Sequence, residues 1–418
     1  MRSAPARLGR RPDFLKLWVG QTVSEFGSRI TRDGLPIFVV SVLAASPEQV
    51  GLLTAAASLP ILLLSLSAGI WVDRHRRRPL LIAADLGRAA VLLLIPLAVL
   101  TGTLSFALAL LVTMSANALG LFFNISYQAM LPWLVEQESL IEANSKLATT
   151  DALAEVGGPA LAGLLIQAVG APLAIAVDAA SFVFSALTLL AIRKPEPRPQ
   201  PHPTPNMRRE LREGLTVVTH HSLLRVLAAG IALRAFFGSM IGALYAFYTL
   251  NELGLTPVTL GVVIASGGIG SLLGALLAPR MTRRFGPEQA LAGSLLLSAG
   301  ASFLLPLANV VPGTAVATLI AGQIIGDAGM TIFVIGETSL RQFIVPNALL
   351  GRANALVGFL AEGVAPLGAL MGGFIAGSFG ARMGLMVAVI GVLCSAIWVS
   401  VALIRQSTRE SLAGTSET

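Results

Sequence analysis

The stretch EQVGLLTAAASLPILLLSLSAGIWVDRHRRR, residues 48–78, carries no charge from Gln49 to Val72 and then places four arginines among its last five residues. Wound as an α-helix at 1.5 Å per residue, such a run covers about 36 Å, enough to cross a hydrocarbon layer of about 30 Å. Backbone N–H and C=O groups in lipid must be paired internally, so the run is a helix. The arginines that stop it mark the cytoplasmic side.

The same character extends along the chain. Apolar runs of helical length lie near 15–43, 48–72, 79–101, 104–134, 146–168, 172–192, 223–250, 257–279, 288–308, 312–340, 353–377 and 383–404. Of the 418 residues 55% are hydrophobic and only 12% charged, and the mean hydropathy is +0.78, too much apolar surface for a water-soluble fold. The runs are long and rich in Leu, Ala, Ile and Gly, unlike the alternating ten-residue strands of an outer-membrane barrel. The expected fold is therefore all-α and membrane-embedded, with about twelve transmembrane helices in two pseudo-symmetric six-helix bundles.

Charge gathers at every second break. Arg2, Arg7, Arg10 and Arg11, residues 74–78, the segment 193–222, residues 280–284, Arg352, and Arg405 with Arg409 are the basic breaks, whereas those near 45, 102, 170, 254, 310 and 380 carry only Arg382. The positive-inside rule then puts both termini and the central loop in the cytoplasm of a bacterial inner (plasma) membrane protein. The net charge of +7 flanks spans and does not form a soluble basic face with aromatic neighbours, so nucleic acid is not an expected partner. The lone Cys394 allows neither an intramolecular disulfide nor a multi-thiolate metal site. The basic N-terminus is followed by an apolar stretch interrupted by Glu25, Arg29, Arg32 and Asp33, which reads as a retained first helix and not as a cleaved signal.

The central loop holds PEPRPQPHPTP at 195–205, an extended tether, followed by Arg208, Arg209, Leu211, Leu215 and Val218 at the spacing of a short surface helix or a solvated linker. It separates an N-terminal bundle, 1–192, from a C-terminal one, 223–418, with 193–222 as linker. The halves repeat one another. Ser46-Pro47-x-x-Val50-Gly51 returns as Thr256-Pro257-x-x-Leu260-Gly261; Asp73-Arg74-x-x-Arg77-Arg78 as Pro279-Arg280-x-x-Arg283-Arg284; and Ala154-Glu155-x-x-x-Pro159 as Ala361-Glu362-x-x-x-Pro366. Two parallel repeats joined by a flexible loop are the build of an alternating-access carrier.

GIWVDRHRRR at 69–78 resembles the Gly-x-x-x-Asp-Arg-x-x-Arg-Arg signature of the major facilitator superfamily, and Gly157-Gly158-Pro159-Ala160-Leu161-Ala162-Gly163 resembles the Gly-Pro motif of its exporters. DFLKLWVGQTVSEFG at 13–27, YQAMLPWLV at 127–135 and SLIEANSKL at 139–147 are similar to the subgroup of enterobactin exporters and macrolide or multidrug efflux pumps. The resemblance implies that Gly69, Asp73, Arg74, Arg77 and Arg78 form a cytoplasmic gate and that Gly157, Gly158, Pro159 and Gly163 form a hinge. Two departures stand out. Pro279 replaces the acid in the second copy of the signature, and the fourth span, TMSANALGLFFNISYQAM, lacks the buried arginine of many proton-driven drug antiporters.

Ionisable residues inside spans point to mechanism, because each costs at least about 2.5 kcal/mol at mid-bilayer unless it meets a partner or water. Glu25, Arg29, Arg32, Asp33 and Pro36 share one face of the first span, which is expected to line a central cavity or to neutralise itself through local pairs. Glu155 and Glu362 occupy equivalent positions in the fifth and eleventh spans with no basic residue within a turn. An unpaired carboxylate there can carry a proton, contact a cation, or make an interhelical hydrogen bond. The proton-coupling candidates are thus Glu25, Asp33, Glu155, Glu362 and Asp327, with Asp178 and Glu337 as lesser ones and Asp85–Arg88 as a structural i, i+3 pair. Arg29, Arg32, Asn124, Tyr127, Gln128, Arg234, Tyr245 and Tyr248 are the candidates for the substrate path.

No Walker-type phosphate loop accompanies Lys16, Lys146 or Lys194, and no His-Glu-x-x-His or Gly-x-Ser-x-Gly pattern occurs, so an enzyme is not expected and no cofactor is called for. The expected activity is export of amphipathic small molecules in exchange for protons, by a protein acting as a monomer in the lipid bilayer. The alternatives are a dedicated siderophore exporter, whose anionic cargo would need Arg29, Arg32 and Arg234, and a membrane receptor or scaffold that has lost transport.

Overall fold

A computed structural model describes residues 12–196, 215–216 and 218–415. Among them are twelve long helices and no strand: α1 (Pro12–Ser41), α2 (Pro47–Asp73), α3 (Arg77–Leu100), α4 (Phe106–Leu134), α5 (Leu140–Val169), α6 (Ala171–Leu190), α7 (Ser222–Phe247), α8 (Pro257–Phe285), α9 (Pro287–Ser302), α10 (Ala315–Ile344), α11 (Asn347–Phe379) and α12 (Ala381–Thr415). The tether from residue 197 and most of the surface-helix stretch lie outside the described residues.

Ten of the helices are long and apolar enough to cross a membrane. The others are α1, whose charges dilute its apolarity, and α9, whose 16 helical residues continue as overlapping i→i+3 turns through Val310. Helix ends fall within about four residues of the apolar runs, with instructive exceptions. α5 and α11 each begin six residues before the runs read at 146 and 353, α8 continues to Phe285 and α12 to Thr415. Hydropathy registers the part of a helix that suits lipid; these polar turns continue the same helix into water.

The repeat seen in sequence is also a repeat in backbone. Ala44 (φ +48°) joins α1 to α2 as Gly254 (φ +66°) joins α7 to α8. Gly102 (φ +67°) and Gly313 (φ +79°) follow α3 and α9, and Gly170 (φ +83°) and Gly380 (φ +90°) end α5 and α11. Each pair is separated by 210 or 211 residues, and each needs the left-handed conformation in which glycine has no steric penalty. Helix pairing repeats likewise: α1 packs on α5 and α6 and α3 on α4 and α6, while α7 packs on α11 and α12 and α9 on α10 and α12.

The chain forms two compact units: Met1–Ala45, Ala56–Pro205 and Thr256–Gly261 in one, and Ser46–Ala55, Asn206–Leu255 and Val262–Thr418 in the other. In the first, the core gathers Phe14, Leu17, Phe123, Met130, Leu147 and Leu189, and the start of α8 crosses α5 at Gly163 and Gly261. A Cβ on Gly163 would collide with the Pro257 carbonyl oxygen, and one on Gly261 with that of Pro159. In the second, the start of α2 crosses α11 at the equivalent glycines. There a Cβ on Gly51 would stand 2.6 Å from the Ala369 oxygen and one on Gly373 2.8 Å from the Pro47 oxygen. Small residues let backbones meet, which is how helices associate where lipid offers no hydrophobic drive.

Candidate functional site

The polar face of α1 meets α5 in an ion network. Arg29, only 9% exposed, donates from Nη2 to Glu25 Oε1 at 3.2 Å and pairs through Nη1 with Glu155 Oε2 of α5. Arg32 Nη2 lies 3.6 Å from Glu155 Oε1, and its Nε 3.7 Å from Asp33 Oδ1. Glu155 is therefore not unpaired, as its sequence neighbourhood suggests; its bases come from another helix. Gly158, one turn further along α5, makes room for this, since a Cβ there would stand 2.5 Å from Arg29 Cβ. Below the network, Trp18 Nε1 donates to Thr150 Oγ1 at 3.0 Å and fixes the register of the two helices.

One member escaped sequence reasoning. Asp151 sits a turn before Glu155 and shares its electrostatic environment with Glu25 and Arg29; Tyr127 of α4 lies in the field of Asp151 and Glu25. The i, i+4 spacing of Asp151 and Glu155 is the signal that could have found it. Four carboxylates, Glu25, Asp33, Asp151 and Glu155, thus face two guanidinium groups, Arg29 and Arg32, leaving two surplus negative charges when all are ionised. The Arg32 and Glu155 side chains are 55% and 57% exposed although they lie within membrane-length helices. Asn124 and Gln128, one turn apart on α4, are exposed as well, while Tyr127 is half-buried and stacks on Phe123.

Behind this face lies a buried cluster. Arg88 of α3 pairs with Asp85 at 2.5 Å, and its guanidinium lies 4.4 Å from the Phe123 ring and 4.0 Å from the Phe182 ring. Asp178 of α6 is within its electrostatic reach and accepts from Ser181 Oγ at 3.1 Å. Asp85 and Asp178 are 0% and 1% exposed. The buried arginine that α4 lacks in its own sequence is thus supplied against Phe123 by α3. A desolvated charge cluster of this kind holds helices in register and is closed to a substrate.

The second half is built differently at the corresponding places. Ser239, 210 residues after Arg29, donates to the Ala365 carbonyl at 2.5 Å, beside Gly368. At this spacing, shared by Gly163 and Gly373 and by Gly170 and Gly380, Ala365 and not Glu362 answers to Glu155, which corrects the equivalence expected from the sequence. Glu362 is exposed, and no ion pair forms on it among the described residues. Polar groups gather instead between α7 and α10: Tyr245 Oη lies 3.4 Å from Gln323 Oε1, Gln323 Nε2 donates to Asp327 Oδ2 at 3.3 Å, and Arg234 lies in the field of Asp327. Glu337 is buried and paired with Arg341 at 3.2 Å. Tyr248, expected on the substrate path, is 1% exposed among Leu244, Val263 and Leu305 and is a packing residue.

At the arginine signature, Asp73 and Arg74 are exposed and a Cβ on Gly69 would meet nothing. Arg78 instead ties down α6, donating from Nε to the Leu189 carbonyl at 2.9 Å and from Nη2 to that of Leu190 at 2.6 Å. The backbone N–H groups of Arg77 and Arg78 at the start of α3 bind Glu196 at 2.5 and 3.1 Å, a carboxylate at a helix N-terminus. The α5 motif keeps Pro159 within a continuous helix, with Gly157 3.5 Å (as a Cβ) from the Phe26 ring.

Twelve helices in two repeats among the described residues, with ionisable side chains inside the spans, define a multi-pass membrane protein of the major facilitator type. Residues 4–417 match the family model described as transmembrane secretion effector, and the chain belongs to that family. It is 24% identical over 92% of its length to macrolide efflux protein A of Streptococcus pyogenes, covering 94% of that protein. It is 28% identical over 93% of its length to the multidrug efflux pump Tap of Mycobacterium tuberculosis, covering 92% of it. Among solved structures, a bacterial homologue of the iron transporter ferroportin in its inward-facing state superposes with a TM-score of 0.75 at 19% identity, over 95% of this chain and all of that one. That last likeness speaks to fold alone.

Proposed function

We propose that this protein exports neutral or cationic amphipathic molecules across the plasma membrane in exchange for protons, by alternating access of its halves 1–192 and 223–418, with both termini in the cytoplasm. The observation that carries the reading is the charge balance of the α1–α5 network. Its surplus of carboxylates, with Arg32 and Glu155 more than half exposed at the depth of the spans, suits a wet path on which protons and a cationic cargo compete for the same acids. The names of the relatives, macrolide and multidrug efflux proteins, support the substrate class. Glu155 is the preferred proton carrier, because it is the acid of α5 that both Arg29 and Arg32 reach from α1; Glu25, Asp33, Glu362 and Asp327 are secondary.

A siderophore exporter fits less well. Its anionic cargo would need Arg29 free, and Arg29 is held between Glu25 and Glu155. A receptor without transport would have no use for proton-accepting acids on an exposed face. The test is efflux of a cationic dye from proteoliposomes with an imposed pH gradient. Wild type exports in proportion to the gradient and Glu155→Gln loses that dependence; export by wild type that ignores the gradient overturns the proposal.

A further inference from the structure

The two copies of the arginine signature are put to different use. In the first half, Arg78 engages the carbonyls that end α6 and Glu196 covers the start of α3. In the second, Arg283 and Arg284 make no hydrogen bond or ion pair among the described residues. Arg284 lies over the Phe285 ring at 5.4 Å, and Arg280 donates to its own helix at the Leu276 carbonyl, 3.2 Å away. Pro279 stands where the first copy has Asp73, so the carboxylate that would oppose an anion is gone.

One of these arginines, Arg283, borders a cavity, and Arg280 and Arg284 stand on the same end of α8 outside its lining. The end of α8, the start of α9 and the end of α10 enclose about 720 Å³, with Ala278, Ile332, Ile335 and Phe343 on the apolar part of the wall and Arg283 and Glu288 on its polar part. Phe343 is 88% exposed and Phe285 49%. The cavity reaches the ends of these helices, the level at which headgroups meet hydrocarbon. Within the lining Arg283 stands against Glu288, and the neighbouring Arg280 and Arg284 add two guanidinium groups to that end of α8. A greasy slot with one lining arginine at a cationic helix end matches a molecule with an acyl chain and an anionic head.

We propose that this cavity is a binding site for an anionic glycerophospholipid, with an acyl chain along Ile332, Ile335 and Phe343 and the phosphate held by Arg283, flanked by Arg280 and Arg284. The inference is independent of what the protein exports.

The test uses the full chain, purified in neutral detergent and offered phosphatidylglycerol and phosphatidylcholine with identical acyl chains, with bound lipid counted by native mass spectrometry. Wild type retains phosphatidylglycerol preferentially, and each arginine contributes about fivefold to that preference. Arg283→Gln lowers it about fivefold and Arg283→Gln with Arg284→Gln about 25-fold, while melting in phosphatidylcholine alone stays unchanged because both side chains are on the surface. Ser339→Trp, which fills the cavity wall, reduces retention of both lipids. Equal retention of the two lipids by wild type, an unchanged preference in the double variant, no effect of Ser339→Trp, or displacement of the lipid by soluble glycerol phosphate at equal concentration each overturns the proposal.

Discussion

Replacing Arg29 by glutamine removes the only strongly buried cation of the α1–α5 network. Its two partners, Glu25 and Glu155, then lose their shared counter-ion and repel one another, with Arg32 left to serve Glu155 and Asp33. Breaking a buried ion pair by deleting one partner costs about 3–5 kcal/mol. Here the carboxylate side chains are 32% and 57% exposed and keep part of their hydration, so the expected loss falls to about 2–3 kcal/mol. Chemical unfolding of the purified protein in one detergent measures it. The diagnostic comparison is Arg29→Gln with Glu155→Gln: removing the stranded acid recovers about 1 kcal/mol or more, a coupling within the range of contacting residues. Additive losses in the double variant would refute the reasoning, because they would mean that the two side chains do not interact.

Alanine at Gly163 or Gly373 should destabilise by about 1–3 kcal/mol, since the obstructing atoms are backbone carbonyls that cannot rotate away; alanine at Gly238, where a Cβ meets nothing, should be neutral or slightly stabilising in the same thermal assay. Asp13, at the aqueous end of α1, is raised by partial burial but lowered further by hydrogen bonds from Lys16 and from the backbone N–H groups of Arg193 and Lys194, for a net depression below its ordinary value of 3.8. Its contribution is therefore complete above that value and disappears as pH falls through the lower folded value, so Asp13→Asn weakens the protein at neutral pH and converges with wild type in acid; a pH series of melting curves reads this.

What the sequence made legible follows from locality. Uncharged runs, arginine breaks and the 210-residue repeat are properties of neighbouring residues, and the helices, the left-handed turns and the paired glycine crossings agree with them. The single polar face of α1 was readable from its i, i+4, i+7 and i+8 spacing. What escaped depends on contacts between distant segments. Nothing near Glu155 in the chain announces Arg29 and Arg32, 126 and 123 positions away; Asp85–Arg88 reads as a local pair, and its burial between Phe123 and Phe182 emerges only when α3, α4 and α6 assemble. Tyr248 and Tyr245 look alike in sequence, yet one is sealed in the core and the other meets Gln323.

The account stands on the α1–α5 acids and bases looking onto water and not onto lipid. In a Cys394→Ser background, Arg32→Cys and Leu164→Cys place a thiol on the network and on the face of α5 opposite Glu155, nine residues or two and a half turns away. With a membrane-impermeant thiol reagent on reconstituted vesicles, the account predicts rapid labelling at position 32, slowed by a transported cation, and negligible labelling at position 164. Labelling at position 32 no faster than at position 164 would contradict it.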